Sequence, residues 1–103
     1  MSNKASADRR YPNALSEVRR AAQEALTSLG WSWKASSEGG FDAVWTSRVF
    51  RFKDDVSVRL HCASGTLVRV QSVSRQGKFD FGQNRRHVRD FFEDLERHLV
   101  GRS

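Results

Sequence analysis

The residue types in this chain that could do chemistry are two adjacent carboxylates, Asp54 and Asp55, and a polar run from Ser72 to Arg86. That run carries Arg75, Gly77, Asp80, Gly82, Asn84, Arg85 and Arg86. Paired carboxylates beside a guanidinium can bind a divalent metal or work as acid and base. A metal needs further ligands, and no His or third carboxylate stands at metal spacing from the pair. The plainer reading is a turn carboxylate plus a bidentate Arg–carboxylate bridge that fixes two loops. The Gly77–Gly82 segment opens onto a helical pattern, and free N–H groups at a helix start can bind phosphate. Arg85 and Arg86 would add charge, but Asp80 opposes an anion and no Walker or dinucleotide spacing is present. The run then reads as a self-bonded corner. Asp80 accepts from loop N–H groups or Arg75, and Asn84 caps the helix. Phe79 and Phe81 either anchor this loop to the core or offer a docking residue to a partner. No cofactor is expected.

Other reactive residues carry less. Ser72 and Ser74 lack a His base in the nearby loops, so a hydrolase triad has little support. His61, His87 and His98 are scattered and read as surface residues. Cys62 is in phase with Val58 and Leu60, so it reads as a buried, inert thiol.

The elements that must position these groups follow from periodicity. Leu15, Val18, Ala22, Leu26 and Leu29 recur at helical spacing, which predicts a helix over Ala14–Leu29 with Asn13 or Ser16 as N-cap and Gly30 closing it. The period then drops to two. Trp31, Trp33 and Ala35 mark a first strand, Ser37–Gly40 a hairpin turn, and Phe41, Ala43 and Trp45 a second strand. Phe50 and Phe52 fall out of phase, which predicts a bulge, bend or loop between Thr46 and Asp54. Val56, Val58, Leu60 and Cys62 mark a third strand, and Thr66–Ser74 a fourth, with Val68 and Val70 on one face. Val88, Phe91, Phe92, Leu95 and Leu99 form the stripe of a last helix, extended toward its start by Asn84 and Arg85.

The expected fold is α+β. It is a two-layer sandwich of order α-β-β-β-β-α, a four-stranded antiparallel meander with two helices on one face. Met1–Arg10 has nothing apolar to bury and is expected to be a disordered tail before a single domain over 11–101. In a meander the Thr46–Asp55 and Arg75–Gln83 connectors meet at one end. Arg48, Arg51, Asp54, Asp55, Arg75, Asp80, Asn84, Arg85, Arg86 and the start of the first strand near Trp31 would gather there. The opposite face, with Lys34, Thr46, Arg59, His61, Arg69 and Gln71, reads as a solvated surface that lacks aromatics for base stacking.

Two segments carry a family resemblance. Phe52, Asp54, Asp55, Val56 and Arg59 match F-x-D-D-V-x-x-R. Ser72, Ser74, Arg75, Gly77, Asp80, Gly82 and Asn84 match R-S-x-S-R-x-G-x-x-D-x-G-x-N-x-x-R. The chain resembles the domain-of-unknown-function family 1499 on these motifs, over most of the span from the first helix to the last. It departs from the pattern where Gln71 replaces the usual Arg, and where Arg85 and Arg86 precede His87 at the position of the final Arg. The resemblance implies no activity.

Composition sets the remaining bounds. The 103 residues suit one small domain, with 38% hydrophobic, 29% charged and 11% aromatic residues. A net charge of +6 favours an anionic partner: nucleic acid, a membrane surface or an acidic protein. The single Cys62 excludes an internal disulfide, and no apolar run approaches the roughly 18 residues of a membrane span. A cytoplasmic location is expected. The leading expectation is a non-enzymatic accessory or binding protein that meets a partner, an acidic protein for example, through Asp54, Asp55, Arg75, Phe79, Asp80, Asn84, Arg85 and Arg86. One alternative is a nucleic-acid-binding module. Another is an enzyme or binder for an anionic small molecule, which needs a pocket where the two connectors meet. An end filled by Phe50, Phe52 and Phe79 would argue against that pocket.

Overall fold

The structure, a computed structural model, describes residues 3–75 and 82–100. Five strands and two helices alternate as β1 (Lys4–Tyr11), α1 (Leu15–Leu29), β2 (Ser32–Ala35), β3 (Gly40–Thr46), β4 (Lys53–Cys62), β5 (Thr66–Ser74) and α2 (Gln83–Val100). The strands form one antiparallel sheet in the order β1-β5-β4-β3-β2.

The expected four-stranded sheet is therefore corrected to five. The segment expected to be a disordered tail supplies β1, which pairs with β5 from Lys4↔Val73 to Tyr11↔Thr66. Its inward set is Ala5, Ala7, Arg9 and Tyr11, and three of these pack on the core as small or half-polar residues. Arg9 lies with its guanidinium 4.7 Å over the Phe92 ring and pairs with Glu96 at 2.5 Å. Tyr11 donates to the same Glu96 oxygen at 2.7 Å. Long amphipathic side chains thus do what an aliphatic residue would do in a central strand. At the far end of β1 the chain passes so close to Gly65 that a Cβ there would meet Tyr11 O at 2.3 Å. Gly65 also holds φ at 109°, a value that glycine tolerates.

α1 joins β1 at one edge of the sheet to β2 at the other. Its 15 residues span about 22 Å at 1.5 Å per residue, close to the width of five strands at about 4.8 Å spacing. Val18, Ala21, Ala22, Ala25 and Leu26 are buried along it. Its N-cap is Ala14, not Asn13 or Ser16, and no side chain caps it. The Asn13 carbonyl instead accepts from Thr66 Oγ1 at 3.0 Å. Gly30 closes the helix in the left-handed conformation at φ 77°.

The core lies between the two helices and the inward face of the sheet. Phe41, Ala43, Val56, Val58, Val68 and Val70 meet Val18, Leu26, Phe91, Phe92 and Leu95 there. Each fully buried aliphatic or aromatic side chain contributes about 1.5–3 kcal/mol of transfer free energy. Cys62 keeps the inward phase of β4, opposite Thr66 at the end of the strand, yet is exposed. The expected buried thiol is corrected accordingly. Among the described residues no helix is long and apolar enough to cross a membrane.

Candidate functional site

Asp54 and Asp55 are neighbours in β4, so the strand period sends them to opposite faces. Asp54 turns inward and is 1% exposed, whereas Asp55 is exposed on the outer face. The pair is thus not a joint acid–base or metal site.

Asp54 anchors an inward polar corner. Its Oδ2 accepts from Gln83 Nε2 at 2.8 Å and faces His87 Nε2 at 3.0 Å. The acceptor is a carboxylate, so the Nε2–H tautomer of His87 completes the hydrogen bond. His87 is 5% exposed, with the Trp31 ring 5.5 Å away edge-on and the Trp45 ring 4.6 Å away. Burial in this aromatic setting lowers its pKa below 6.5, and the Asp54 carboxylate opposes that shift without overcoming it. Burial thus favours the neutral imidazole.

One turn earlier on α2, Asn84 is fully buried and joins two side chains of β5 and one backbone carbonyl. Its Oδ1 accepts from Ser72 Oγ at 2.6 Å, and its Nδ2 donates to Ser74 Oγ at 2.9 Å and to Asn3 O at 2.8 Å. Asn84 thus ties α2 to β5 and to the residue before β1. It lies inside the helix, which starts at Gln83, so the expectation that it caps the helix from outside is corrected. His87 is likewise corrected from a surface residue to a buried one. Its signal was positional: it lies three residues after Asn84 and four before Phe91, on the apolar stripe.

The outer face carries different chemistry. Arg75 grips Asp55 through Nη2 at 2.7 Å and Nε at 3.1 Å. Arg69 holds Asp8 with two bonds of 3.0 Å, and Arg59 holds Asp42 at 2.9 Å. Arg59 and Arg69, which the sequence placed on this face, and Arg75 are each paired with a carboxylate of a neighbouring strand. A shallow concavity of about 520 Å³ lies among them, lined by Lys34, Asp42, Asp55, Ser57, Gln71 and Arg75 among others.

The β3–β4 loop, residues 47–52, is the third component of this end. Ser47 N donates to Phe52 O at 2.8 Å, and Phe52 N donates to Ser47 Oγ at 2.8 Å, so the loop is closed at its base. Val49 and Phe50 are 78% and 71% exposed. Phe50 and Phe52 stack on each other with centroids 5.5 Å apart. These two aromatics therefore do not fill the end of the sheet.

The structure brings Asp54 and Asn84 together with Gln83 and His87, and separately joins Asp55 to Arg75. Arg85 and Arg86 are exposed on the first turn of α2. Phe79 and Asp80 lie outside the described residues, as do Gly77 and Phe81. Among the described residues no group of three or more His, Cys, Asp and Glu side chains could hold a metal. The Asp54–His87 dyad has the form of a carboxylate–imidazole pair, but Ser72 and Ser74, the hydroxyls beside it, are engaged by Asn84.

These features define a small antiparallel sheet domain, with two helices on one face, whose polar corner binds β4, β5 and α2 to each other. The family described as Protein of unknown function (DUF1499) matches residues 2–95, and the chain belongs to it. The Asp-Asp and Ser-x-Ser-Arg motifs meet twice in the fold, once through the exposed Asp55–Arg75 bridge and once where Asp54 pairs with Ser74 in the β4–β5 register. A comparison with curated proteins finds no match.

Proposed function

We propose that this chain is a non-enzymatic binding module that meets its partner through the end of the sheet formed by the β3–β4 loop and the start of α2. The observation that carries the reading is a contrast within that end. The polar side chains with catalytic potential are buried and bonded in two pairs, Asp54 with His87 and Asn84 with Ser72. Beside them, Val49, Phe50 and Phe52 stand in solvent with Arg48 and Arg51. Exposed apolar side chains grouped on a closed loop mark an interaction site more often than a structural one. Catalysis would need a reacting atom within reach of a nucleophile and base, and among the described residues the hydroxyls of this corner, Ser72 and Ser74, are engaged by Asn84. The remaining surface offers weaker support for contact, since Arg59, Arg69 and Arg75 spend their charge on neighbouring carboxylates.

The test is photo-crosslinking in the native cell. A photo-reactive residue replaces Phe50 in one variant and Lys34, on the outer sheet face, in another. The reading predicts adducts from position 50 and few from position 34. Equal yields from both positions, or none from position 50, would overturn it.

A further inference from the structure

We propose that the β3–β4 loop docks on an anionic lipid surface; this rests on the binding reading above and adds the chemistry of what is bound. From Thr46 to Lys53 the chain holds Arg48, Val49, Phe50, Arg51, Phe52 and Lys53, with three cations and no carboxylate. Its apolar groups are open to solvent: Val49 and Phe50 are more exposed than Phe52, which is 43% exposed, and Arg48 and Arg51 are exposed with them. The loop is already shaped, because Ser47 and Phe52 close its base with two hydrogen bonds. Arg51 sits at φ 60°, a left-handed value that a bulky residue adopts at a cost.

An exposed apolar loop that also carries exposed cations fits a bilayer interface. Apolar side chains enter the boundary between headgroups and acyl chains, while the guanidinium groups of Arg48 and Arg51 reach the lipid phosphates on flexible stems. The net charge of +6 adds attraction toward the same surface. An acidic protein fits less well. Stable protein interfaces use about 20–30 residues a side, and a six-residue loop covers a small part of that. Single-stranded nucleic acid fits less well again. Base stacking needs open aromatic faces, and the Phe50 and Phe52 rings are turned on each other at 20°. Val49 has no ring to stack.

The test is co-sedimentation of the full chain with vesicles of phosphatidylcholine alone and of phosphatidylcholine mixed with phosphatidylglycerol. Binding is expected to the mixed vesicles and to weaken at high salt. The double variant Phe50→Ser with Phe52→Ser should bind those vesicles at least about tenfold less, since each buried Phe contributes about that much. Arg48→Glu with Arg51→Glu should lose the preference for anionic lipid. Circular dichroism checks that both variants keep the wild-type fold. Equal binding to the two vesicle types, or unchanged binding by the Phe variant, would overturn the proposal. So would failure to bind anionic vesicles while position 50 still crosslinks to a protein or nucleic acid in cells. That last outcome leaves the binding module standing, whereas loss of crosslinks from position 50 removes both readings.

Discussion

His87 Nε2 on α2 lies 3.0 Å from Asp54 Oδ2 on β4, in a site where both side chains are almost wholly buried. This contact joins the helix layer to the centre of the sheet, because β4 is the middle strand of five. Replacing Asp54 with Ala leaves Gln83 and His87 without their acceptor. Leaving buried donors unsatisfied in this way costs about 1–3 kcal/mol. Urea unfolding should show that loss for Asp54→Ala, with the slope of the transition unchanged.

The same pair makes stability depend on pH. Burial lowers the His87 pKa below its ordinary value of 6.5. The unfolded chain then takes up a proton on this residue that the folded chain refuses. Stability falls as pH drops through about 6.5 and levels off once pH passes the folded-state pKa. Above that range His87 contributes no slope. Thermal melts between pH 5 and pH 8 should show the decline in wild type. His87→Gln should flatten that part of the profile, even with a lower melting temperature throughout.

Asn84 and Arg75 offer a contrast between buried and exposed polar bonds. Asn84→Ala removes the bonds to Ser72, Ser74 and Asn3 and strands groups away from water. A loss of about 2–4 kcal/mol is expected. Arg75→Ala removes only the exposed bridge to Asp55, which should change stability by less than about 1 kcal/mol. Chemical denaturation of the two variants side by side checks the ranking.

β1 should be part of the cooperative unit. Removing residues 1–11 deletes the Arg9 and Tyr11 bonds to Glu96 and uncovers Phe92 and the edge of β5. Burial, followed by the bond to Glu96, raises the Tyr11 pKa, and the Tyr11 hydroxyl is the main cause of the lowered Glu96 pKa. The truncated chain is expected to lose its cooperative melt. A truncated chain that melts like the full one would restore the view of this segment as a tail.

How far the sequence discloses this fold depends on which residues carry the alternation. Val56, Val58 and Leu60, or Phe91, Phe92 and Leu95, announce their elements because each inward position is apolar. β1 is silent because its inward positions are Ala5, Ala7, Arg9 and Tyr11, and an edge strand packs against little more than helix α2. The site was hidden by the same cause. Asp54, Ser72, Asn84 and His87 hold inward phase in their strand or helix, but polar residues at core positions look like surface when read one at a time. Only pairing β4 with β5 and laying α2 across them shows that these residues satisfy each other. The Asp55–Arg75 bridge was legible because the two connectors had to meet. The exposure of Phe50 and Phe52 was not, since an aromatic out of phase can turn either inward or outward.

The most direct test of the account is the photo-crosslink yield from position 50 in a His87→Gln background, at a temperature where circular dichroism shows the domain folded. If the buried corner serves only to hold the fold and the loop makes the contact, the yield matches that of the unaltered background. A folded protein with a lost or strongly reduced yield would contradict the account, and would assign His87 a direct part in function.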